Sequence, residues 1–164
     1  MTFPWDDEKW LLEQNAAEYF VEALNEQLST SYRVMLHADR PDIVIEDEDS
    51  LHRLGVEVTH LFYDSAEARA LLGRSPIDYR SQEDIKTFID RLNKLLAQKA
   101  DKAKKYADEW ELALLVRVAS PAFGIQDFVR FKNLIDVPDC KYKYIWLLFY
   151  NFDESRWNII MALK

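Results

Sequence analysis

The stretch Leu54-Gly55-Val56-Glu57-Val58-Thr59-His60-Leu61 alternates apolar and polar side chains with a period of two. That period belongs to an extended strand. Leu54, Val56 and Val58 point one way; Glu57 and Thr59 point the other. Upstream, Pro41 precedes Asp42-Ile43-Val44-Ile45, a run rich in β-formers. The acidic segment Glu46-Asp47-Glu48-Asp49-Ser50 between the two runs reads as a solvated turn. Arg40 to Leu61 is therefore a hairpin, and the rest of the chain must be arranged around it.

A long helix is expected from about Ser81 to Glu109, with Ile85, Phe88, Ile89, Leu92, Leu95, Leu96 and Ala103 as its apolar residues. Leu112 to Val118 follows as a buried strand, stopped by Ser120-Pro121. Before the hairpin, Asp6 to Leu28 has helical spacing: Trp10, Ala17, Val21, Leu24 and Leu28 share a face. Ser29-Thr30-Ser31 ends that helix, and Tyr32 to His37 reads as a strand. Phe62 to Arg80 is read as a short helix through Ala66 to Leu72 and a loop around Pro76. Ile125 to Ile135 is a short helix, and Tyr142 to Tyr150 and Trp157 to Leu163 are strands joined by a turn at Asn151 to Ser155. The expected class is α+β: a mixed sheet flanked by helices. With 164 residues the chain suits one domain, large enough to hide roughly two thirds of its surface.

Composition removes several classes. A hydrophobic fraction of 49% with 13% aromatics excludes disorder. No apolar run approaches the ~18 residues of a membrane span, and the N-terminus Met-Thr-Phe-Pro-Trp-Asp-Asp-Glu is acidic, unlike a signal peptide. Cys140 is the only cysteine, so neither a disulfide framework nor a cysteine-rich zinc site is expected. His37, His52 and His60 lack zinc-ligand spacing. His60 should pack beside Val58, and Tyr142, Tyr144, Trp146, Phe149 and Tyr150 read as strand packing, or as a face for base stacking or dimerisation. Gly55, Gly73 and Gly124 lie too far apart for a phosphate-cradling loop. These features point to a cytoplasmic protein. The net charge of −8 argues against an extended nucleic-acid-binding surface, while leaving room for a local basic patch.

One constellation carries chemistry. Asp42 begins one strand of the hairpin, and Glu57 lies fifteen positions later inside the next. Two such carboxylates and a few waters suit a hard cation such as Mg²⁺ or Mn²⁺, which polarises a phosphoryl oxygen and activates water. The plain alternative is a turn Asp and a solvent-facing strand Glu.

The order of elements, with Pro41-Asp42 opening one strand and Glu57-Val58-Thr59 in the next, resembles the PD-(D/E)xK, restriction-endonuclease-like nucleases over about Trp10 to Val118. The resemblance implies a nuclease-like core over about 6–118, its sheet extended by the short helix and two strands of 124–164. It implies Asp42 and Glu57 as metal ligands and a first-helix Glu completing the set. Glu13 lies on the apolar face of that helix and is the preferred candidate, with Glu18 nearer the edge as the second. Either can equally be a side chain that reaches solvent from the helix packing.

The motif departs from the family pattern at Thr59, which stands where the family has Lys. That Lys positions the attacking water and stabilises charge on the phosphate; Thr59 hydrogen-bonds without charge. Either the chain is inactive or a lysine arrives from elsewhere. At 100° per residue, Lys99 falls within the apolar face of the long helix, and Lys102 and Tyr106 follow on its flank. Gln98, Lys102 and Tyr106 repeat at intervals of four, and Lys94, Lys104 and Lys105 make this the most basic stretch of the chain. The bland alternative is a helix end emerging from the core, where lysines are routine.

Three functions compete. The first is a metal-dependent nuclease cleaving phosphodiester bonds in DNA, with Lys99 or Lys102 stabilising the developing charge and a homodimer or partner subunit offsetting the acidity. The second is an inactive nuclease fold serving as a protein-binding module of inhibitor or immunity type. The third is an unrelated α+β domain binding a small molecule.

Overall fold

The computed structural model describes residues 4–37, 41–61, 82–106, 109–119 and 123–164, the side chains of 4–15 and 82–84 excepted. The short helix expected through Ala66 to Leu72 and the loop at Pro76 lie outside the described residues.

Helix α1 (Pro4–Leu28) leads into β1 (Tyr32–His37), β2 (Ile43–Asp47) and β3 (Arg53–Leu61). Helix α2 (Gln82–Ala103) connects β3 to β4 (Glu111–Val118). The short α3 (Ile125–Arg130) and a 3₁₀ turn (Lys132–Leu134) precede β5 (Tyr142–Asn151) and β6 (Arg156–Ala162). All six strands form one mixed sheet in the order β1-β2-β3-β4-β5-β6. The β1–β2, β2–β3 and β5–β6 pairs are antiparallel, whereas β3–β4 and β4–β5 are parallel. The α+β class with a mixed sheet and flanking helices is thus what the chain adopts.

The sheet is covered on both faces. On one, Ala16, Ala17, Phe20, Val21, Ala23 and Leu24 of α1 pack on Ile43, Ile45, Leu54, Val56, Val58, Ala113, Leu115, Trp146 and Leu148. On the other, Ile85, Phe88, Ile89, Leu92 and Leu96 of α2 pack with Phe128 on Leu112, Leu114, Val116, Ile145, Leu147 and Phe149. The described helices of the β3–β4 and β4–β5 connections both pack on this second face, as connections of one hand require when strands are added in one direction. The strands shared by the two layers are apolar on both sides, which is the pattern of a doubly covered sheet.

Four expectations change. The buried stripe of α1 runs through Ala16, Phe20 and Ala23 as well as Ala17, Val21 and Leu24, while Leu28 is exposed. Helix α2 stops at Ala103, six residues short of Glu109. Its last apolar contact is Ala103, after which the amides of Lys104, Lys105 and Tyr106 bond three residues back. The helix expected over Ile125 to Ile135 closes at Arg130 and continues as the 3₁₀ turn. Finally, Glu46 and Asp47 belong to β2 and are buried, so the solvated turn shrinks to Glu48, Asp49 and its neighbours. Arg53 and Arg33 account for Glu46: the Arg53 Nε donates to Oε2 at 2.6 Å, and Arg33 Nη2 lies 3.7 Å from Oε1. Among the described residues no helix is long and apolar enough to cross a membrane.

Candidate functional site

The β2–β3 pairing sets Ile43 against Val56, Val44 against Gly55 and Ile45 against Leu54. One further step along this register puts Asp42 opposite Glu57. Directly opposed residues of an antiparallel pair send their side chains to the same face. Ile43 and Val56 face α1, so Asp42 and Glu57 face α2. The Asp42 carboxylate accepts a hydrogen bond from the Val58 amide at 2.8 Å, which ties it to the strand carrying Glu57.

Pro41 fixes this approach. Its ring lies so close to Gly55 that a Cβ built there would stand 2.6 Å from Pro41 Cγ, and 3.2 Å from both Leu112 Cδ2 and Trp110 Cβ. Only glycine leaves that space, so Pro41, Asp42, Gly55 and Glu57 form one packed unit.

Helix α2 adds the cation. Lys99 Nζ lies 3.4 Å from Glu57 Oε1, with both side chains largely buried, at 17% and 9% exposure. A lysine in an apolar stripe requires such a partner, because an ammonium in apolar surroundings is costly to desolvate. The other oxygen of Glu57, Oε2, is buried and has no hydrogen-bond partner among the described residues. Thr59 sits two positions beyond Glu57 on the same strand and is buried.

The remaining candidates do not converge here. Lys102 is exposed, three residues beyond Lys99, and no described contact joins it to either carboxylate. Lys104 and Lys105 are exposed, and Lys104 pairs with Asp101 at 3.5 Å. Glu18 is exposed on α1, the helix that covers the opposite face. Glu13 lies on α1, with its side chain outside the described residues.

Sequence reasoning missed several features. His60 does not merely pack beside Val58: with Leu61, Arg91, Lys94, Leu95 and Gln98 it lines a cleft of about 540 Å³ between the end of β3 and α2. The signal for it was present in the basic and polar spacing of α2. The aromatic row of β5 is split between faces. Tyr144 and Trp146 stack at 5.0 Å on the α1 side, whereas Tyr142 is fully buried on the α2 side. Burial, then the Glu57 carboxylate, Tyr106, Cys140 and Asp42, push the Tyr142 phenol well above its usual range. At the other end of the strands, the Tyr32 hydroxyl meets His52 Nδ1 at 2.7 Å, and His52 Nε2 meets Glu111 Oε2 at 2.7 Å. Lys143 Nζ closes that chain on Glu111 Oε1 at 3.0 Å.

Among the described residues no group of three or more His, Cys, Asp or Glu side chains is arranged to hold a metal ion. Compared with family models, with curated proteins and with solved structures, the chain has no match.

Proposed function

We propose that this chain is a divalent-metal-dependent phosphodiesterase of nuclease type, acting on DNA and built on a restriction-endonuclease-like core. The observation that carries this reading is the contact of Lys99 with Glu57 on the face that Asp42 shares. It supplies the cation missing at Thr59. The element order α1-β1-β2-β3-α2-β4, with helices on opposite faces, supports the same reading.

The donor set fits a hard cation of the Mg²⁺ or Mn²⁺ kind. Such ions are often held by one or two carboxylates together with waters and substrate phosphates, so two carboxylates are enough. Glu57 divides its oxygens suitably: Oε1 faces Lys99 and Oε2 is buried without a protein partner among the described residues. Asp42 and Glu57 would hold the ion from the α2 side, whereas Glu13 stands on α1, the helix of the opposite face. When bound, such a cation polarises a phosphoryl oxygen and lowers the pKa of a water.

The chain's own residues do the rest. Lys99 sets its ammonium beside Glu57, where charge would develop on the phosphate during attack. Thr59 offers a hydroxyl two residues farther along. The cleft lined by Arg91, Lys94 and Gln98 opens along α2 and suits contacts to a phosphate backbone, which position a strand without reading its sequence. This local patch answers the objection raised by the net charge of −8.

The test is Mn²⁺-dependent cleavage of single- and double-stranded DNA and RNA by wild type and Lys99→Met. The proposal expects cleavage of DNA by wild type and a loss of about 10²–10³-fold in the variant, the range for removing one preorganised electrostatic group. Cleavage that survives Lys99→Met unchanged would remove the lysine's role. The second reading, an inactive fold binding a protein partner as an inhibitor or immunity module does, is favoured by Thr59 in the lysine position and by the acidity. It expects no divalent-ion affinity and a tight, basic protein partner.

A further inference from the structure

Tyr142 is out of phase with its own strand. Ile145, Leu147 and Phe149 face α2, so strict alternation would send position 142 to the α1 side with Tyr144 and Trp146. A bulge prevents this. The β4–β5 pairing steps from Leu112 opposite Tyr142 to Ala113 opposite Tyr144, leaving Lys143 as the extra residue. Bulges re-aim side chains at the expense of local pairing, and they are over-represented beside functional sites.

Filling the core does not explain the re-aimed side chain. Phenylalanine would fill nearly the same volume, yet this residue carries a hydroxyl that is buried and has no hydrogen-bond partner among the described residues. A buried hydroxyl without a partner is destabilising, and each such group in a native fold calls for a ligand, a water or an ion to explain it. The second buried oxygen of this kind on the α2 face is Glu57 Oε2. The register runs from Gly55 through Leu112 to Tyr142, so Tyr142 lies on the cross-strand line that passes two residues from Glu57. A tyrosine phenol is protonated at neutral pH, hence a donor. A donor without an acceptor and an acceptor without a donor thus occupy one face of the sheet. A water accepting from the phenol and donating to the carboxylate would satisfy both.

We propose that Tyr142 is a positioning residue of the Asp42–Glu57 site, its hydroxyl donating to a water that belongs to the hydration shell of the cation held there. The inference rests on the metal site proposed above. It predicts that Tyr142 acts through that water and touches neither the ion nor the substrate. Outer-shell partners of this type change metal affinity by about 10–100-fold when removed.

The experiment titrates Mn²⁺ into wild type and Tyr142→Phe, reading free ion by electron paramagnetic resonance, alongside thermal unfolding in chelator. The expected result is binding by wild type, a ten- to hundredfold weaker affinity in Tyr142→Phe, and a metal-free melting temperature at or above that of wild type. Equal affinities overturn the role of Tyr142 while leaving the metal site intact. No binding by wild type overturns the metal site and this inference with it. A second readout covers a variant that folds less well: the water-proton relaxation caused by bound Mn²⁺ at saturation. It shifts in Tyr142→Phe if the hydroxyl orders a bound water; an unchanged value contradicts the proposal.

Discussion

Gly55 is the residue on which the carboxylate pair depends most directly. A methyl group there meets the Pro41 ring at 2.6 Å, and a proline ring cannot swing aside as a long side chain can. Gly55→Ala must therefore push back the segment that carries Asp42. We expect a loss of ~1–3 kcal/mol, the usual range for overpacking, read by urea unfolding. Weaker Mn²⁺ binding should accompany it, because Asp42 moves with Pro41. A second residue-scale expectation concerns Asp47. The Ser50 hydroxyl, donating at 2.6 Å, is the main group holding its carboxyl below the usual range, with the Ser31 and Asp49 amides adding to it. A carboxyl depressed in the folded state stabilises the fold above its unfolded value near 4 and loses that contribution as pH falls through the folded value. Asp47→Asn should therefore narrow the stability gap between pH 7 and pH 3, as followed by thermal unfolding. An unchanged gap would show that Asp47 is not linked to folding. At this scale Glu57 and Lys99 were legible, because a period of two and a period of 3.6 set the face each occupies. Glu46, Asp47 and Tyr142 were not. The first depends on Arg33 and Arg53 across strands, the second on Ser31 and Ser50, and the third on a bulge that leaves no trace in periodicity.

Among the elements, α2 does two jobs with one stripe. Its N-terminal and central turns bury Ile85, Phe88, Ile89, Leu92 and Leu96 against β4 and β5, and its last turns bring Lys99 to Glu57. Leu92 is fully buried in that stripe. Leu92→Ala should cost ~2–5 kcal/mol, transfer and cavity together, measured by denaturant unfolding. A cost below 1 kcal/mol would mean that α2 docks less firmly than its packing implies. All six strands and the two long helices were readable, since each carries a sustained period and a stop signal. Helix ends were less so: Lys104 and Lys105 keep helix-forming residues, yet both are exposed and the chain turns there, with Tyr106 returning to the core. The true stripe of α1 was shifted toward Phe20, as alanines at 16 and 23 carry little weight in a hydrophobic pattern but suit close approach to a sheet.

For the molecule as a whole, the two faces of the sheet divide the work. The α1 face is apolar packing closed by aromatic contacts such as Phe20 with Trp146, and the α2 face combines a core with Asp42, Glu57, Lys99 and Tyr142 at its margin. The basic cleft lies beyond Glu57 toward the end of β3, in a chain whose net charge is −8. The mixed sheet was legible from element order, but the convergence of a β2 carboxylate, a β3 carboxylate and an α2 lysine is a tertiary fact that no local pattern contains. The central claim is that this margin binds a divalent cation through Asp42 and Glu57. Calorimetric titration of Mn²⁺ into wild type and Asp42→Ala tests it most directly. Saturable binding by wild type, lost in Asp42→Ala, is the predicted result. Equal binding by both proteins, or none by either, would contradict the account.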